Sequence, residues 1–345
     1  MVSKLPMANG SRCGSGTCSR CSGSSGAGEV RRRSHPEATD PYWGGADLGA
    51  VAERLAVPVA LVSGWHDVTL DQTLRQYRRL RRAGTEASLL IGPWTHNSAL
   101  QQGWPEVFAE ALAWLRAHLG EDRSGLRAAP VRVHVGGSGS GEWRELPDWP
   151  AAPAGQRWYP GADGTLATGP GASEGVLTVR NDPADPTPSV GGQTLSPKGG
   201  SRDNRALEAR EDVLVFSSAP LAAPLELIGA VSAELRVSAA TPSADVFVRL
   251  CDVDPRGRSV NICDGLLRLS PEGAEPVSLT VPMSATAHRL AAGHRIRLQI
   301  SAGAHPRYAR NTGTAGNQAT AARAVPVELT VHLPAAVVLP VAAAG

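Results

Sequence analysis

The chain has 345 residues, a formal net charge of +2 at pH 7 and 19% charged residues. This nearly balanced charge excludes a strong general attraction to nucleic acid or to anionic lipid. The sequence has no run of about 18 apolar residues, and its first residues lack the apolar core of a secretion signal. We therefore expect a cytoplasmic protein of two domains, with no nucleic-acid or membrane partner.

Residues 1–33 are rich in Gly, Ser, Arg and Cys and almost free of apolar side chains, which predicts a disordered segment. Its three cysteines, Cys13, Cys18 and Cys21, have the C-x4-C-x2-C spacing of plant-type ferredoxins. An iron–sulfur cluster needs a fourth thiolate, and the next cysteine, Cys251, lies far along the chain. We expect no metal and no cofactor. Cys251 and Cys263 lie among predicted strands, where we expect buried, apolar thiols.

Between residues 34 and 125, helix and strand patterns alternate. The run V-P-V-A-L-V-S-G-W is continuously apolar and ends in Gly, which is typical of a strand buried on both faces. Alternation of this kind predicts a parallel α/β unit. The predicted elements are a helix at 47–56, a strand at 57–65, a helix at 70–83, a strand at 87–92 and a helix at 105–119.

After about residue 130 the helical patterns give way to short apolar or alternating segments separated by turn residues. This pattern predicts an all-β sandwich, most simply a jelly roll, and it places a domain boundary near residues 120–130. We assign residues 126–345 to this second domain. The predicted strands are 131–135, 176–180, 212–216, 231–238, 244–253, 266–269, 277–281, 294–301 and 327–333.

Polar side chains follow two neighbouring strands of the predicted parallel sheet. Asp67 follows the first strand in S-G-W-H-D, and His96 follows the second in G-P-W-T-H. Active-site side chains of α/β sheets gather beyond the carboxyl ends of the strands. An acid after one strand and a histidine after the next form the second half of a Ser-Asp-His triad in hydrolase order. The acid would orient the imidazole, and the histidine would take up and return the serine proton.

Other roles are open for these residues when each is considered by itself. Asp67 could be the N-cap of the helix that starts near Leu70. His96 could be a loop residue without a role. His66 competes with His96 because it is next to Asp67, although neighbouring side chains in a turn usually point apart.

The paired motifs G-W-H-D and G-P-W-T-H, with 29 residues between Asp67 and His96, resemble the cocaine esterase and X-Pro dipeptidyl-peptidase group of α/β serine hydrolases. The segments 35–43, 131–150 and 212–221 are similar to the same group, so the resemblance covers about residues 34–335. It implies that residues 34–125 are the C-terminal part of an α/β-hydrolase domain. It also implies that Asp67 is the triad acid and His96 the triad base, acting on small acyl esters or peptides without a cofactor.

The nucleophile of that group stands in a G-x-S-x-x-G turn upstream of the acid. The literal match here is G-S-S-G-A-G at 23–28, which would make Ser25 the nucleophile. Ser25 lacks the preceding buried strand and the following helix that a nucleophile turn requires, so we do not assign it. We expect a truncated hydrolase without its serine, inactive or nearly so on its own. Its exposed sheet edge would favour self-association or pairing with a complementary chain.

A second hypothesis is a non-catalytic jelly-roll module that binds carbohydrate or protein. Trp143, Trp149, Trp158 and Tyr159 cluster near the start of the β region and could stack against sugars. Packing between the two domains is the alternative role of these aromatic residues, and the one we favour.

Overall fold

The computed structural model of the chain describes residues 49–137, 139, 141–150, 155–170, 174–270, 273 and 275–342. The predictions for residues 1–33, including those for Cys13, Cys18, Cys21 and Ser25, lie outside the described residues. In the described part of the chain, no helix is both long and apolar enough to cross a membrane.

The first part of the described chain alternates helices with parallel strands, as the sequence predicts. Its leading helix, predicted as a helix over 47–56, is a 3-10 helix at Gly49–Arg54. The elements that follow are β1 (Val59–His66), α1 (Leu70–Arg82), β2 (Ala87–Thr95), the short α2 (His96–Ala99) and α3 (Trp104–Leu119). The amphipathic α1 buries Leu70, Leu74, Tyr77 and Leu80, the stripe expected from their helical spacing.

The β-rich part follows. Every strand predicted after residue 130 overlaps an observed one, whereas the sequence patterns do not predict β4, β5 or β6. The elements are β3 (Val131–Gly137), β4 (Glu142–Leu146), β5 (Gly155–Pro160), β6 (Thr165–Ala167), β7 (Gly175–Asn181), α4 (Arg205–Glu208), β8 (Val213–Ser218), β9 (Leu225–Ala239), β10 (Ala244–Val253), β11 (Ser259–Leu269), β12 (Val277–Leu290), β13 (Arg295–Ser301) and β14 (Val327–Pro340).

The strand β3 joins the two parts of the chain. It pairs in parallel with β2, so that Leu89 lies opposite Val131, and it forms the third parallel strand after β1 and β2. At its other end it pairs in parallel with β12, where Gly136 lies opposite His288. The parallel sheet therefore continues by hydrogen bonds into the β-rich part.

The β-rich part consists of two layers of mostly antiparallel strands. One layer contains β12, β9 and β14, with β5 and β7 paired to β14. The other runs in the order β6, β8, β13, β10, β11. The layers share one apolar core, in which Val237 and Leu329 of the first layer and Val248 and Leu298 of the second are fully buried. The jelly-roll connectivity stays a prediction.

Two groups of side chains that the sequence predicts to be packed lie in the fold. Cys251 and Cys263 are buried thiols, and burial raises the pKa of Cys251 to about 12. Trp149 and Trp158 are also buried, at 5% and 8% exposure. These indoles pack inside the fold, so they present no ring face on which a sugar could stack.

A buried charge cluster lies between the strands of the second layer and the loops that cover them. Arg249 is 0% exposed and donates to Asp264 Oδ2 from Nη2 at 2.9 Å and from Nε at 3.2 Å. Arg307 donates to the other carboxylate oxygen. Burial alone would raise the pKa of Asp264, but the two guanidinium groups hold it below its ordinary value.

We expect Asp264→Ala to lower the free energy of unfolding by about 3–5 kcal/mol, because it leaves Arg249 buried without its counter-ion. Urea unfolding at pH 7 would measure the loss. Glu328→Ala, at an exposed position of β14, is the matched control and should change stability by less than about 0.5 kcal/mol. Equal stability of the two variants would show that the Arg249 charge is satisfied by other groups.

Candidate active site

The carboxyl ends of β1 and β2 are brought level by one extra residue in β2. Gly64 lies opposite Gly92, but the next aligned pair is His66 with Thr95, so three steps along β2 match two along β1. This is a β-bulge, an irregularity that redirects the side chains that follow it. As a result Asp67 and His96, the residues directly after the two strands, lie side by side.

The two glycines are needed because Trp94 fills the space beside the bulge. A Cβ atom on Gly64 would lie 2.2 Å from the carbonyl oxygen of Trp94, and one on Gly92 would lie 2.4 Å from its ring. A larger residue at Gly64 would displace the backbone of β2, and one at Gly92 would displace the Trp94 ring. The motifs G-W-H-D and G-P-W-T-H thus combine the side chains of the site with the glycines that allow their close approach.

Asp67 is held by its own turn. Its side chain is 6% exposed, and its Oδ1 accepts hydrogen bonds from the backbone N–H of Thr69 at 2.8 Å and from the Thr69 hydroxyl at 2.9 Å. A buried carboxylate needs such donors to offset the loss of its hydration. Thr69, and not Asp67, is the N-cap of α1. The N-cap interpretation of Asp67 is therefore not what the structure shows.

His96 is the first residue of α2 and faces Asp67. Its Nδ1 lies 3.1 Å from Asp67 Oδ1 and 3.3 Å from Oδ2. The preceding Thr95 caps α2 by reciprocal hydrogen bonds with Ser98, which fix the backbone at His96. The imidazole is 49% exposed. Among the described residues, no group is hydrogen-bonded to its Nε2.

This geometry gives the imidazole a defined direction. A carboxylate at Nδ1 favours the tautomer that carries its proton there, which leaves the Nε2 lone pair free to accept a proton from a reacting group. The same carboxylate stabilises the imidazolium that then forms. Within the described part of the chain no serine hydroxyl is hydrogen-bonded to the His96 ring, and no group of three or more His, Cys, Asp or Glu side chains could hold a metal ion.

A cavity of about 720 Å³ lies between the ends of the parallel strands and the β-rich part, where Thr95 and Asn97 line it but Asp67 and His96 do not. His66 lines it, as does His288 on β12. The sequence patterns do not single out the opposite wall, where His288 Nε2 and His294 Nδ1 bind Asp252 at 2.9 and 2.7 Å. Burial would raise the pKa of Asp252, but the two histidines hold it below its ordinary value. These contacts join distant strands, so no local spacing reveals them.

Although adjacent to Asp67 in sequence, His66 has a different environment, which favours His96 as the partner of the acid. Burial lowers the pKa of His66 to about 4; the nearby Asp264 opposes this shift, whereas His288 adds to it. His66 is thus neutral at pH 7.

The lowered pKa of His66 predicts a pH dependence of stability. Between about pH 6.5 and pH 4, His66 is protonated in the unfolded chain but stays neutral in the folded chain. The folded state therefore loses stability as the pH falls through this window. We expect a loss of up to about 3 kcal/mol from this residue. Urea unfolding at several pH values should show a shallower decline for His66→Gln. Parallel curves for the variant and the unmodified chain would contradict this assignment.

Comparison with known proteins adds independent findings. Residues 125–334 match the model of the X-Pro dipeptidyl-peptidase C-terminal non-catalytic domain, and residues 25–98 match that of the X-Pro dipeptidyl-peptidase (S15 family). Cocaine esterase from Rhodococcus sp. (strain MB1 Bresler) is 32% identical, in an alignment that covers 82% of this chain and 54% of the esterase. The chain spans about half the length of the curated relatives it matches.

Two solved structures share the fold. An aminopeptidase from a marine sediment archaeon, Thaumarchaeota archaeon, has a TM-score of 0.80 at 23% identity. An alpha-amino acid ester hydrolase has a TM-score of 0.80 at 21% identity. Each comparison covers 91% of this chain and 60% of the other.

Proposed function

Because the chain belongs to the cocaine esterase and X-Pro dipeptidyl-peptidase family, we propose that Asp67 and His96 are the acid and base of a serine hydrolase triad. The observation that carries this proposal is the contact of His96 Nδ1 with Asp67 at 3.1 Å, with Nε2 left open. The substrates would be small acyl esters or peptides, as the names of the relatives suggest. The β-rich part would have jelly-roll connectivity.

The chemistry is acyl transfer in two halves. His96 Nε2 takes the proton of a serine hydroxyl as its oxygen attacks the substrate carbonyl carbon, and then gives that proton to the leaving oxygen or nitrogen. Water repeats the sequence on the acyl-enzyme, with His96 again as base and then as acid. Throughout, Asp67 stays ionised, holds the Nδ1 proton and stabilises the imidazolium. Thr69 fixes the carboxylate through both of its donors.

The serine would come from polypeptide outside the described residues that continues the parallel sheet at β1. Among the described strands, β1 pairs with β2 alone, so its outer edge is open. A parallel strand added at this edge ends beside the carboxyl ends of β1 and β2, where Asp67 and His96 lie. Self-association is the other use of such an edge. A two-fold pair of β1 strands would be antiparallel, however, and would place the two sites at opposite ends.

The helix α3 presents a surface that fits such an addition. Glu110 and Trp114 line a groove with Arg127 and Pro130 on the flank near β3. The opposite flank of the helix is apolar. It is formed by Trp104, Phe108, Leu115 and Leu119, which are between 49% and 80% exposed. We call these four residues the α3 stripe.

The proposed triad is tested in a fusion of the chain to the part of the Rhodococcus cocaine esterase that lies outside the matched region. Asp67→Asn should lower kcat for an ester substrate roughly 10⁴-fold, because the amide favours the wrong imidazole tautomer. His96→Gln should lower it at least as much. Asp122→Asn, at an exposed loop carboxylate, is the control and should leave kcat unchanged. If the fusion is active and neither Asp67→Asn nor His96→Gln lowers its kcat, the proposal is wrong.

The proposed role of the α3 stripe in binding the added polypeptide is tested with the same esterase segment, supplied as a separate chain. A fluorophosphonate should label no serine in the chain alone, and should label the added segment only when the two are mixed. Phe108→Glu combined with Leu115→Glu should weaken their association at least about tenfold, because charges replace half of the α3 stripe.

Val176→Glu, at an exposed apolar position on β7, is the control for that measurement. Dimers of the chain that the α3 changes disrupt would favour self-association instead. Labelling of Ser25 in the chain alone would contradict the origin proposed for the nucleophile.

A further inference from the structure

Trp65 ties the end of β1 to the β-rich part through its side chain. Its indole Nε1 donates to the carbonyl oxygen of His134 on β3 at 2.7 Å. Its ring is 6% exposed and packs against Trp149, with 5.8 Å between ring centroids. Trp65 stands two residues before Asp67, so these contacts fix the backbone from which the Asp67 turn departs.

The backbone of Trp65 is held from the same side by Gln193, which lies in the loop between β7 and α4. Gln193 Nε2 donates to the carbonyl oxygen of Trp65 at 3.4 Å. Its Oε1 accepts from the hydroxyl of Ser284 on β12 at 3.1 Å and from Arg307 Nη2 at 3.4 Å. Arg307, which can only donate, fixes the orientation of the amide, since the reversed amide would turn an N–H group towards it. The Ser284 hydroxyl also lies 3.4 Å from Asp71 Oδ2.

Behind Gln193 stands the buried charge cluster. Arg307 binds Asp264, whose other oxygen is held by Arg249. Arg249 also donates to the side chain of Asn204 at 2.8 Å and to the carbonyl oxygen of Val190 at 2.6 Å. Because Arg249, Asp264 and Asn204 are buried and paired, the position of Arg307 is set by the core of the β-rich part.

Building on the proposed function, we propose that Gln193 is a positioning residue for the triad acid. It transmits the fixed geometry of the Arg249–Asp264–Arg307 cluster to the Trp65 carbonyl, and thereby sets the angle at which Asp67 meets His96. Gln193 lies within the region that matches a non-catalytic domain. That region therefore takes part in the alignment of the site.

The readout is the tautomer of His96. An imidazole without a partner favours its proton on Nε2, whereas a well-aligned carboxylate at Nδ1 holds it there. A change in alignment alters the ratio of the two tautomers, while a general loss of stability does not. Nitrogen chemical shifts, measured through the non-exchangeable ring protons of the full chain at a pH where the imidazole is neutral, report this ratio.

Gln193→Glu is the sharpest variant. It keeps an acceptor for Ser284 and Arg307 but loses the N–H that reaches the Trp65 carbonyl. We expect the ratio of Nδ1–H to Nε2–H tautomer to fall about three- to tenfold, which corresponds to one ordinary hydrogen bond. Gln193→Met, which removes the donor without adding charge, should give the same direction of change. Urea unfolding would verify that each variant is folded.

Gln156→Glu is the matched control, because Gln156 also bonds a tryptophan, Trp158, but lies in β5 away from the site. It should leave the tautomer ratio of His96 unchanged. An unchanged ratio in folded Gln193→Glu and Gln193→Met would overturn the proposal and leave Gln193 as a structural contact between β1 and the β-rich part. If Asp67→Asn also leaves the ratio unchanged, the triad itself fails, so the two failures are distinguishable.

Discussion

The site depends on one constraint, the close approach of two parallel strands that differ by a single residue at their carboxyl ends. Without the extra residue in β2, the side chain after Thr95 would point away from the Asp67 turn. The bulge itself is possible because Gly64 and Gly92 leave room for Trp94. A carboxylate and an imidazole therefore meet because of backbone geometry, and the flexibility of their side chains contributes little.

The contact between Asp67 and His96 also helps to offset the free energy lost when the Asp67 carboxylate is buried. An ionised carboxylate at 6% exposure is unfavourable unless donors replace its water. Thr69 supplies two donors from the same turn, and His96 supplies a third from the start of α2. Two of the three are local, so most of the donors come from the turn that contains Asp67 itself. The His96 ring is half-exposed, so its Nε2 is accessible to a reacting group.

The sequence predicts the local part of this structure well, since helical stripes and apolar runs are set by nearby residues. The stripe of α1 and the apolar runs of β1 and β2 are examples, and the order of Asp67 and His96 follows from them. What local patterns do not reveal are contacts between distant segments. Three such contacts join residues far apart in the chain: the pairing of β3 with β12, the hydrogen bonds of His288 and His294 to Asp252, and the hydrogen bond of Gln193 to the Trp65 carbonyl. The 3-10 helix at Gly49–Arg54 shows a limit of local patterns as well, because the sequence predicts a helix there but not its type.

The pairing of β3 with strands on both sides bears on how the polypeptide could be divided. A cut near residue 125, where composition suggests a boundary, would separate β1 and β2 from the strand that flanks them and would uncover the edge of β2. The excised β-rich piece would in turn carry β3 with the edge that pairs with β2 uncovered. The two regions thus share a structural element, and insertion or exchange of one as a cassette would have to carry β3 along with whichever side is moved.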